Sequence, residues 1–144
     1  LFHFAGHAEA AGLDGWDSAL RLAGAARFTV ADALALPQAP AVVVLSGCEA
    51  ARAVGAPARA GLGVAQAFVA AGARAAVAPI RPVRDTDAQR FARAFYEALP
   101  HPGGDVAVAV RSAQLALGAG ATTDETDAGG NTTVDWAAFR VLVP

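Results

Sequence analysis

AVVVLSGC, residues 41–48, carries the strongest signal for the fold of this chain. Its first five residues are uniformly apolar and rich in valine, which is typical of a strand buried on both faces. Strands of that kind belong to parallel sheets that carry helices on both sides. The strand ends at Ser46-Gly47 and is followed by Cys48, the only cysteine in the chain. The stretch therefore predicts an α/β protein with a thiol at the carboxyl end of a core strand.

A second segment, LFHFAGH at residues 1–7, repeats this plan with a histidine in place of the cysteine. Residues 1–5 predict a strand, and Gly6 allows the tight turn that lifts His7 off the strand end. In open parallel sheets, chemistry collects just outside the carboxyl ends of the strands. A histidine and a cysteine delivered there form the arrangement that a cysteine nucleophile with a general base requires. The two segments therefore predict His7 as the base and Cys48 as the nucleophile.

The chemistry expected of this pair needs a proton transfer and a site for an oxyanion. A cysteine thiol has a pKa of about 8.5, and a neighbouring imidazole with a pKa of about 6.5 can take its proton at neutral pH. The backbone N–H groups of Ala8 and Cys48, which follow the two glycine turns, are the expected oxyanion donors. Taken singly, an inert buried cysteine and a surface histidine are the commoner situations. The matched glycine contexts at two strand ends favour catalysis.

Other polar and aromatic residues have simpler interpretations. His3 and His7 form an H-x-x-x-H pattern, but on a strand this spacing separates them by roughly 13 Å along one face. No third metal ligand is evident, so we expect no metal site and interpret His3 as a packing residue facing the sheet. Asp85 and Asp87 are expected to cap a helix and to lie in solvent. The two tryptophans, Trp16 and Trp136, are expected in the core or at its rim.

The remaining pattern predicts strands that alternate with helices. Strands or hairpin arms are expected at residues 1–5, 19–22, 27–29, 41–45, 73–80 and 136–143. Helices are expected from Thr29 to Pro37, at 62–71, from Asp85 or Thr86 to Leu99, and at 106–117. Residues 8–18 and 118–133 are expected to be loops. This order predicts one domain over residues 1–144, with a parallel sheet wrapped by helices.

Composition limits the partners and the surroundings of the chain. The 11 basic residues are all arginine, they are scattered, and the net charge is −2, so no phosphate-tracking surface and no direct nucleic-acid partner are expected. No apolar stretch approaches the roughly 20 residues of a membrane span. A single cysteine excludes an internal disulfide and fits a reducing cytoplasm. The chain starts within a strand-like segment and contains no methionine, so we expect it to be part of a longer polypeptide.

Several segments resemble motifs of CHAT domains, in the same order and over nearly the whole chain. HFAGH at 3–7 resembles H-x-A-G-H-G, LSGCEAA at 45–51 resembles L-S-A-C-E-T-A, and PIRPVRD at 79–85 resembles S-L-W-P-V-D-D. Further likeness lies at 61–74, at FYEAL (95–99), at VRSAQ (110–114) and at WAAF (136–139). CHAT domains are caspase-like cysteine peptidases, related to caspases and separase.

The resemblance implies a caspase-like three-layer αβα sandwich with a mostly parallel central sheet and with His7 and Cys48 on adjacent strands. It also implies strands before residue 1 that this chain lacks, and a cysteine endopeptidase that cleaves a protein partner in bacterial signalling. TPR repeats in the same polypeptide are the expected regulatory region, and no metal or organic cofactor is needed. Caspases place the histidine about 50 residues before the cysteine, whereas here the separation is 48 − 7 = 41.

The sequence departs from the family motifs at three positions. Ala8 replaces the glycine after the histidine, Arg81 replaces a tryptophan, and Arg84 replaces the first aspartate of the D-D pair. Ala8 should be tolerated because a backbone donor does not depend on its side chain. The two arginines affect substrate preference more than chemistry, and Asp85 is a candidate to line a pocket for a basic residue.

Three alternatives are weighed against the peptidase. A catalytically idle module of the same fold, acting as a protein-interaction scaffold, stays open. A class I glutamine amidotransferase is disfavoured because those enzymes place the cysteine before the histidine. A nucleotide-binding domain is disfavoured because no G-x-G-x-x-G opens a helix after a strand.

Overall fold

The computed structural model describes residues 1–12, 14–47, 62–101, 103–119 and 136–144. The strands in these ranges are β1 (Phe2–Phe4), β2 (Ala8–Glu9), β3 (Ala19–Arg21), β4 (Arg27–Thr29), β5 (Val42–Leu45), β6 (Ala75–Pro79) and β7 (Phe139–Leu142). The helices are α1 (Val30–Leu34), α2 (Val64–Ala70), α3 (Asp85–Ala98) and α4 (Val106–Ala119). The predicted alternation of strands and helices is confirmed in these ranges.

The central sheet has the strand order β1-β5-β6-β7. Strands β1, β5 and β6 are parallel to one another, whereas β7 runs antiparallel to β6. The predicted parallel sheet is therefore confirmed for its first three strands, and the closing strand adds an antiparallel edge. Such an edge strand is common on sheets that are otherwise parallel. In this order, the strands that precede His7 and Cys48 are direct neighbours.

Strand β5 lies at the centre of the core, as its uniformly apolar sequence predicts. Val42 and Val44 pack on one side of the sheet with residues of α3 and α4. Val43 and Leu45 pack on the other side with residues of α1 and α2. All four side chains are fully buried. Because successive side chains of a strand point to opposite faces, one apolar run serves both helical layers and produces a three-layer arrangement.

A second, small antiparallel sheet has the strand order β2-β3-β4. The hairpin of β3 and β4 is confirmed, but the prediction of a continuous loop over residues 8–18 is wrong at its start. Ala8 pairs with Leu20, and Glu9 pairs with Ala19. Local sequence does not predict β2, because this two-residue strand forms only where β3 offers its edge.

Helix α1 begins at the residue that the sequence indicates. The Thr29 hydroxyl accepts a hydrogen bond from the Asp32 backbone N–H at 3.2 Å, and the Asp32 carboxylate accepts one from the Thr29 backbone N–H at 2.8 Å. This reciprocal pair is a capping box, which satisfies two N–H groups that the first turn leaves unpaired. The bonds from Thr29 hold the pKa of Asp32 below its ordinary value.

Helix α3 covers one face of the central sheet with the apolar positions that its periodicity predicts. Phe91 and Phe95 are fully buried, and Leu99 is nearly so. The Phe91 ring stacks on that of Phe139 in β7, with centroids 3.8 Å apart. The stack connects the helix to the edge strand of the sheet. In the described ranges, no helix combines the length and apolar character that a membrane crossing needs.

Candidate functional site

His7 follows β1, and its main chain is hydrogen-bonded to the small antiparallel sheet. Its carbonyl oxygen accepts a hydrogen bond of 2.8 Å from the backbone N–H of Arg21 in β3. The residue itself is exposed. The small antiparallel sheet therefore fixes the backbone at His7 and leaves the imidazole accessible from solvent.

The end of β5 is joined to the end of β1 by its main chain. The Ser46 backbone N–H donates to the Phe4 carbonyl oxygen at 2.8 Å, which extends the parallel ladder by one bond. Beyond it, Gly47 lies directly against the turn that carries the histidine. A Cβ atom added at Gly47 would lie 2.8 Å from the Gly6 carbonyl oxygen and 2.9 Å from the Ala8 Cβ. The residue before Cys48 thus contacts both neighbours of His7.

Cys48, with its side chain and its backbone N–H, lies outside the described residues. The other expected oxyanion donor, the N–H of Ala8, lies within them. The bond from Arg21 N–H to the His7 carbonyl makes Ala8 and Leu20 a non-hydrogen-bonded pair of the antiparallel ladder. The Ala8 N–H is therefore not used in pairing with β3. The Ala8 backbone nitrogen would be 3.1 Å from a Cβ atom at Gly47, so it lies beside the turn that leads to Cys48.

A pocket of about 320 Å³ opens beside these strand ends. It is lined by His3, Ala5, Gly6, His7, Ser46, Asp85, Ala88, Gln89 and Ala92. The residues come from β1, from the ends of two core strands and from the first half of α3. The structure therefore brings Asp85, which sequence reasoning named as a binding candidate, into the same pocket as His7. Among the described residues of this lining, Asp85 carries the formal negative charge.

The first turn of α3 is fixed by an ion pair that the sequence did not suggest. Asp87 is only 2% exposed, and its Oδ2 accepts a 3.0 Å hydrogen bond from Arg84 Nε. The expectation that Asp87 lies in solvent is therefore wrong, because the helix turns this position towards the sheet while Asp85 faces outwards. Arg84, one of the departures from the family motif, supports the turn that carries Asp85.

His3 is part of the pocket wall and not only a packing residue. Its Nε2 is 2.9 Å from the Ser46 hydroxyl, and its ring centroid is 5.5 Å from that of Tyr96 in α3. Partial burial lowers the pKa of His3 below its ordinary value of 6.5, so the ring is neutral at neutral pH. The signal for this placement was present in the sequence, since residues 3, 5 and 7 of an extended segment share one face.

A mostly parallel sheet between two helical layers, with a histidine turn packed on the end of the neighbouring core strand, defines a caspase-like α/β domain. The chain belongs to the CHAT domain family, whose sequence model matches residues 1–144. The resemblance drawn from the short motifs is thereby confirmed over the full length. The search of curated proteins found no match to this chain.

Proposed function

We propose that this domain is a cysteine endopeptidase that cleaves a protein partner, with Cys48 as the nucleophile and His7 as the general base and acid. The observation that carries the proposal is the contact of Gly47 with Gly6 and Ala8. Because Gly47 directly precedes Cys48 in the sequence and contacts both neighbours of His7, the chain enters residues 7 and 48 from the same end of two neighbouring strands. The membership in the CHAT family supports the same assignment.

The proposed reaction has two halves. In the first, His7 takes the thiol proton, the Cys48 sulfur attacks the scissile carbonyl carbon, and the carbonyl oxygen becomes an oxyanion. The N–H groups of Ala8 and Cys48 donate to that oxyanion. The C–N bond then breaks, His7 returns its proton to the leaving amine, and a thioester remains. In the second half, His7 removes a proton from water, which attacks the thioester and releases the acid and the thiol. The proposed chemistry needs no metal or organic cofactor.

We further propose that Asp85 binds a basic side chain of the substrate. The support is its place in the pocket that His7 also lines, together with its exposure and its formal charge. Replacing Asp85→Asn is expected to lower kcat/KM for substrates with arginine or lysine by about 5–10-fold, the effect of one partly solvated ion pair. Substrates with neutral side chains should be unaffected. Glu97→Gln, an exposed carboxylate near the other end of α3, is the matched control, and equal losses in both variants would contradict the assignment.

The setting proposed for this activity is bacterial signalling or regulation. The single cysteine supports a reducing cytoplasm, and TPR repeats in the same polypeptide are the proposed regulatory region. A protein or peptide is the proposed partner, without direct contact to nucleic acid or membrane.

The decisive experiment is a substrate-profiling digest with the parent protein and with its Cys48→Ala and His7→Ala variants. Peptides that depend on the thiol should disappear in both variants, with cleavage reduced more than about 10³-fold. His101→Ala is the matched control, because His101 is exposed and follows the far end of α3. Unchanged peptides with Cys48→Ala would exclude the proposed nucleophile. No cleavage by the parent, together with no labelling of Cys48 by a thiol-reactive peptide probe, would instead indicate a scaffold.

A further inference from the structure

Ser46 is attached to β1 by two separate hydrogen bonds. Its backbone N–H reaches the Phe4 carbonyl oxygen at 2.8 Å, and its hydroxyl lies 2.9 Å from His3 Nε2. In the register of the two strands, His3 stands opposite Val44 and Phe4 opposite Leu45. The imidazole therefore reaches forward along the sheet to the first residue after β5. Ser46 is also the last residue before the Gly47 turn that leads to Cys48.

The His3 ring is held from a third direction by helix α3. Its centroid is 5.5 Å from that of Tyr96, with the ring planes tilted by 46°. Tyr96 is partly buried and its hydroxyl oxygen, which is screened from solvent, has no hydrogen-bond partner within the described part of the chain. Burial raises the pKa of Tyr96, so this neighbour is neutral at physiological pH. One imidazole thus connects β1, the end of β5 and the helix that forms the opposite pocket wall.

We propose that His3 is a positioning residue for the cysteine nucleophile: its hydrogen bond to Ser46 holds the turn that carries Cys48 against the turn that carries His7. This inference rests on the proposed peptidase function. His3 acts through Ser46 and does not take part in proton transfer to the substrate. This role requires a hydroxyl at position 46 and, at position 3, a side chain that places a hydrogen-bonding nitrogen where Nε2 lies.

The titratable groups around His3 are consistent with a residue that positions Cys48 and does not transfer a proton. The titratable groups that face it are Tyr96 from α3 and, across the pocket, His7 and Asp85. Partial burial lowers the pKa of His3, so its ring carries less positive charge at neutral pH than an ordinary histidine. In the proposed division of roles, His7 takes the thiol proton, and His3 acts on the position of Cys48 only through Ser46.

Two substitutions at position 3 separate the hydrogen bond from the bulk of the ring. A glutamine amide can occupy the place of Nε2, whereas the shorter asparagine cannot reach it, so His3→Gln preserves the contact and His3→Asn removes it. Ser46→Ala removes the same contact from the other side by deleting a single hydroxyl. The measurements are kcat and KM on a cleaved peptide, and the rate of Cys48 alkylation by iodoacetamide between pH 5 and pH 9. Since Cys48 is the only cysteine in residues 1–144, alkylation mapped to a peptide from this range reports on it alone.

We expect His3→Asn and Ser46→Ala to lower kcat by about tenfold, the rate equivalent of one ordinary hydrogen bond, with little change in KM. In both variants the apparent pKa of alkylation should rise towards the ordinary thiol value of about 8.5. The His3→Gln variant should behave as the unsubstituted chain. The double variant His3→Asn/Ser46→Ala should be no worse than either single change, because both remove one interaction.

Two outcomes would overturn the positioning role. One is an unchanged kcat and an unchanged alkylation profile in His3→Asn and Ser46→Ala. The other is a loss in His3→Gln as large as that in His3→Asn, which would show that the ring packs and does not position. Cleavage that survives Cys48→Ala would refute the peptidase proposal itself, and the alkylation profiles would still decide whether His3 places the thiol.

Discussion

At the scale of single residues, the turn before Cys48 depends on the absence of a side chain at position 47. The backbone of Gly47 is not in the left-handed region, unlike that of Gly12, Gly15, Gly24 and Gly72. Glycine is needed there because two main chains approach closely, not because of a special dihedral angle. A substitution at Gly47 therefore tests the close approach of the two turns directly.

Replacing Gly47→Ala is expected to lower the free energy of unfolding by about 1–3 kcal/mol, because the added methyl overlaps the Gly6 carbonyl and Ala8. The cleavage rate should fall by more than the loss of folded protein explains, because the added methyl pushes the turn at Gly47 away from the turn at Gly6–Ala8. Urea unfolding and peptidase rates measure the two effects. Gly118→Ala is the control: its Cβ meets only Trp136 at an ordinary 3.9 Å on an exposed helical position, and it should be neutral or stabilising. A Gly47→Ala protein with full stability and activity would contradict the close approach.

The lowered pKa of His3 predicts how stability changes with pH. The unfolded chain binds a proton at His3 near pH 6.5, whereas the folded chain does so only at lower pH. At pH values between these two pKa values, the unfolded state binds more protons at His3 than the folded state does. The contribution of His3 to the free energy of unfolding is therefore complete above about pH 6.5 and is lost as the pH falls. Melting curves at pH 5 and pH 8 should show that the unsubstituted chain loses more stability at pH 5 than the His3→Gln variant does. An equal acid loss in both would refute the partial burial of the ring.

At the level of elements, helix α3 contacts the edge strand β7 through a pair of stacked aromatic rings. Phe91 and Phe139 are both fully buried, and their rings are nearly parallel at 3.8 Å. The same helix carries Asp85 into the wall of the pocket that His7 lines. Helix periodicity alone predicted that Phe91 faces the core, but not which strand it meets.

Replacing Phe139→Ala is expected to cost about 3–5 kcal/mol of unfolding free energy, since it deletes a buried ring and leaves a cavity. Leu115→Ala removes a side chain of comparable apolar character from the exposed face of α4, where Leu115 is 59% exposed. That control should stay within about 0.5 kcal/mol of the unsubstituted chain. Chemical denaturation of both variants makes the comparison, and similar losses would show that the edge strand contributes little.

At the scale of the whole molecule, two apolar cores lie on opposite sides of one sheet and share its central strands. Val44 belongs to the core under α3 and α4, and Val43 belongs to the core under α1 and α2. Both cores include side chains of β5. Loss of the helices on one face would expose this strand to solvent and would weaken the packing of the helices on the other face. The two layers should therefore unfold together.

We expect one cooperative unfolding transition, with the same midpoint by far-ultraviolet circular dichroism and by tryptophan fluorescence. Val43→Ala and Val44→Ala should each lower the free energy of unfolding by about 2 kcal/mol and shift both probes equally. The tryptophan emission itself should be that of accessible side chains, because Trp16 is 56% and Trp136 is 50% exposed. Of the two expected places, the core or its rim, these exposures exclude the core. Separate midpoints for the two probes would show that the layers unfold independently.

Sequence patterns were enough to predict the buried strand at Val42–Leu45, the capping box at Thr29, the apolar face of α3 and the family. These features depend on local periodicity and on short motifs, which are visible without any partner. Tertiary structure alone decided the pairing of β2, the direction of β7, the burial of Asp87 and the meeting of His3 with Ser46. The last pair is 43 residues apart in the chain, and a contact over that distance depends on strand register and on the placement of α3. The chemistry of the candidate residues was therefore visible in the sequence, whereas the pocket that His7 shares with Asp85 exists only after the sheet has formed.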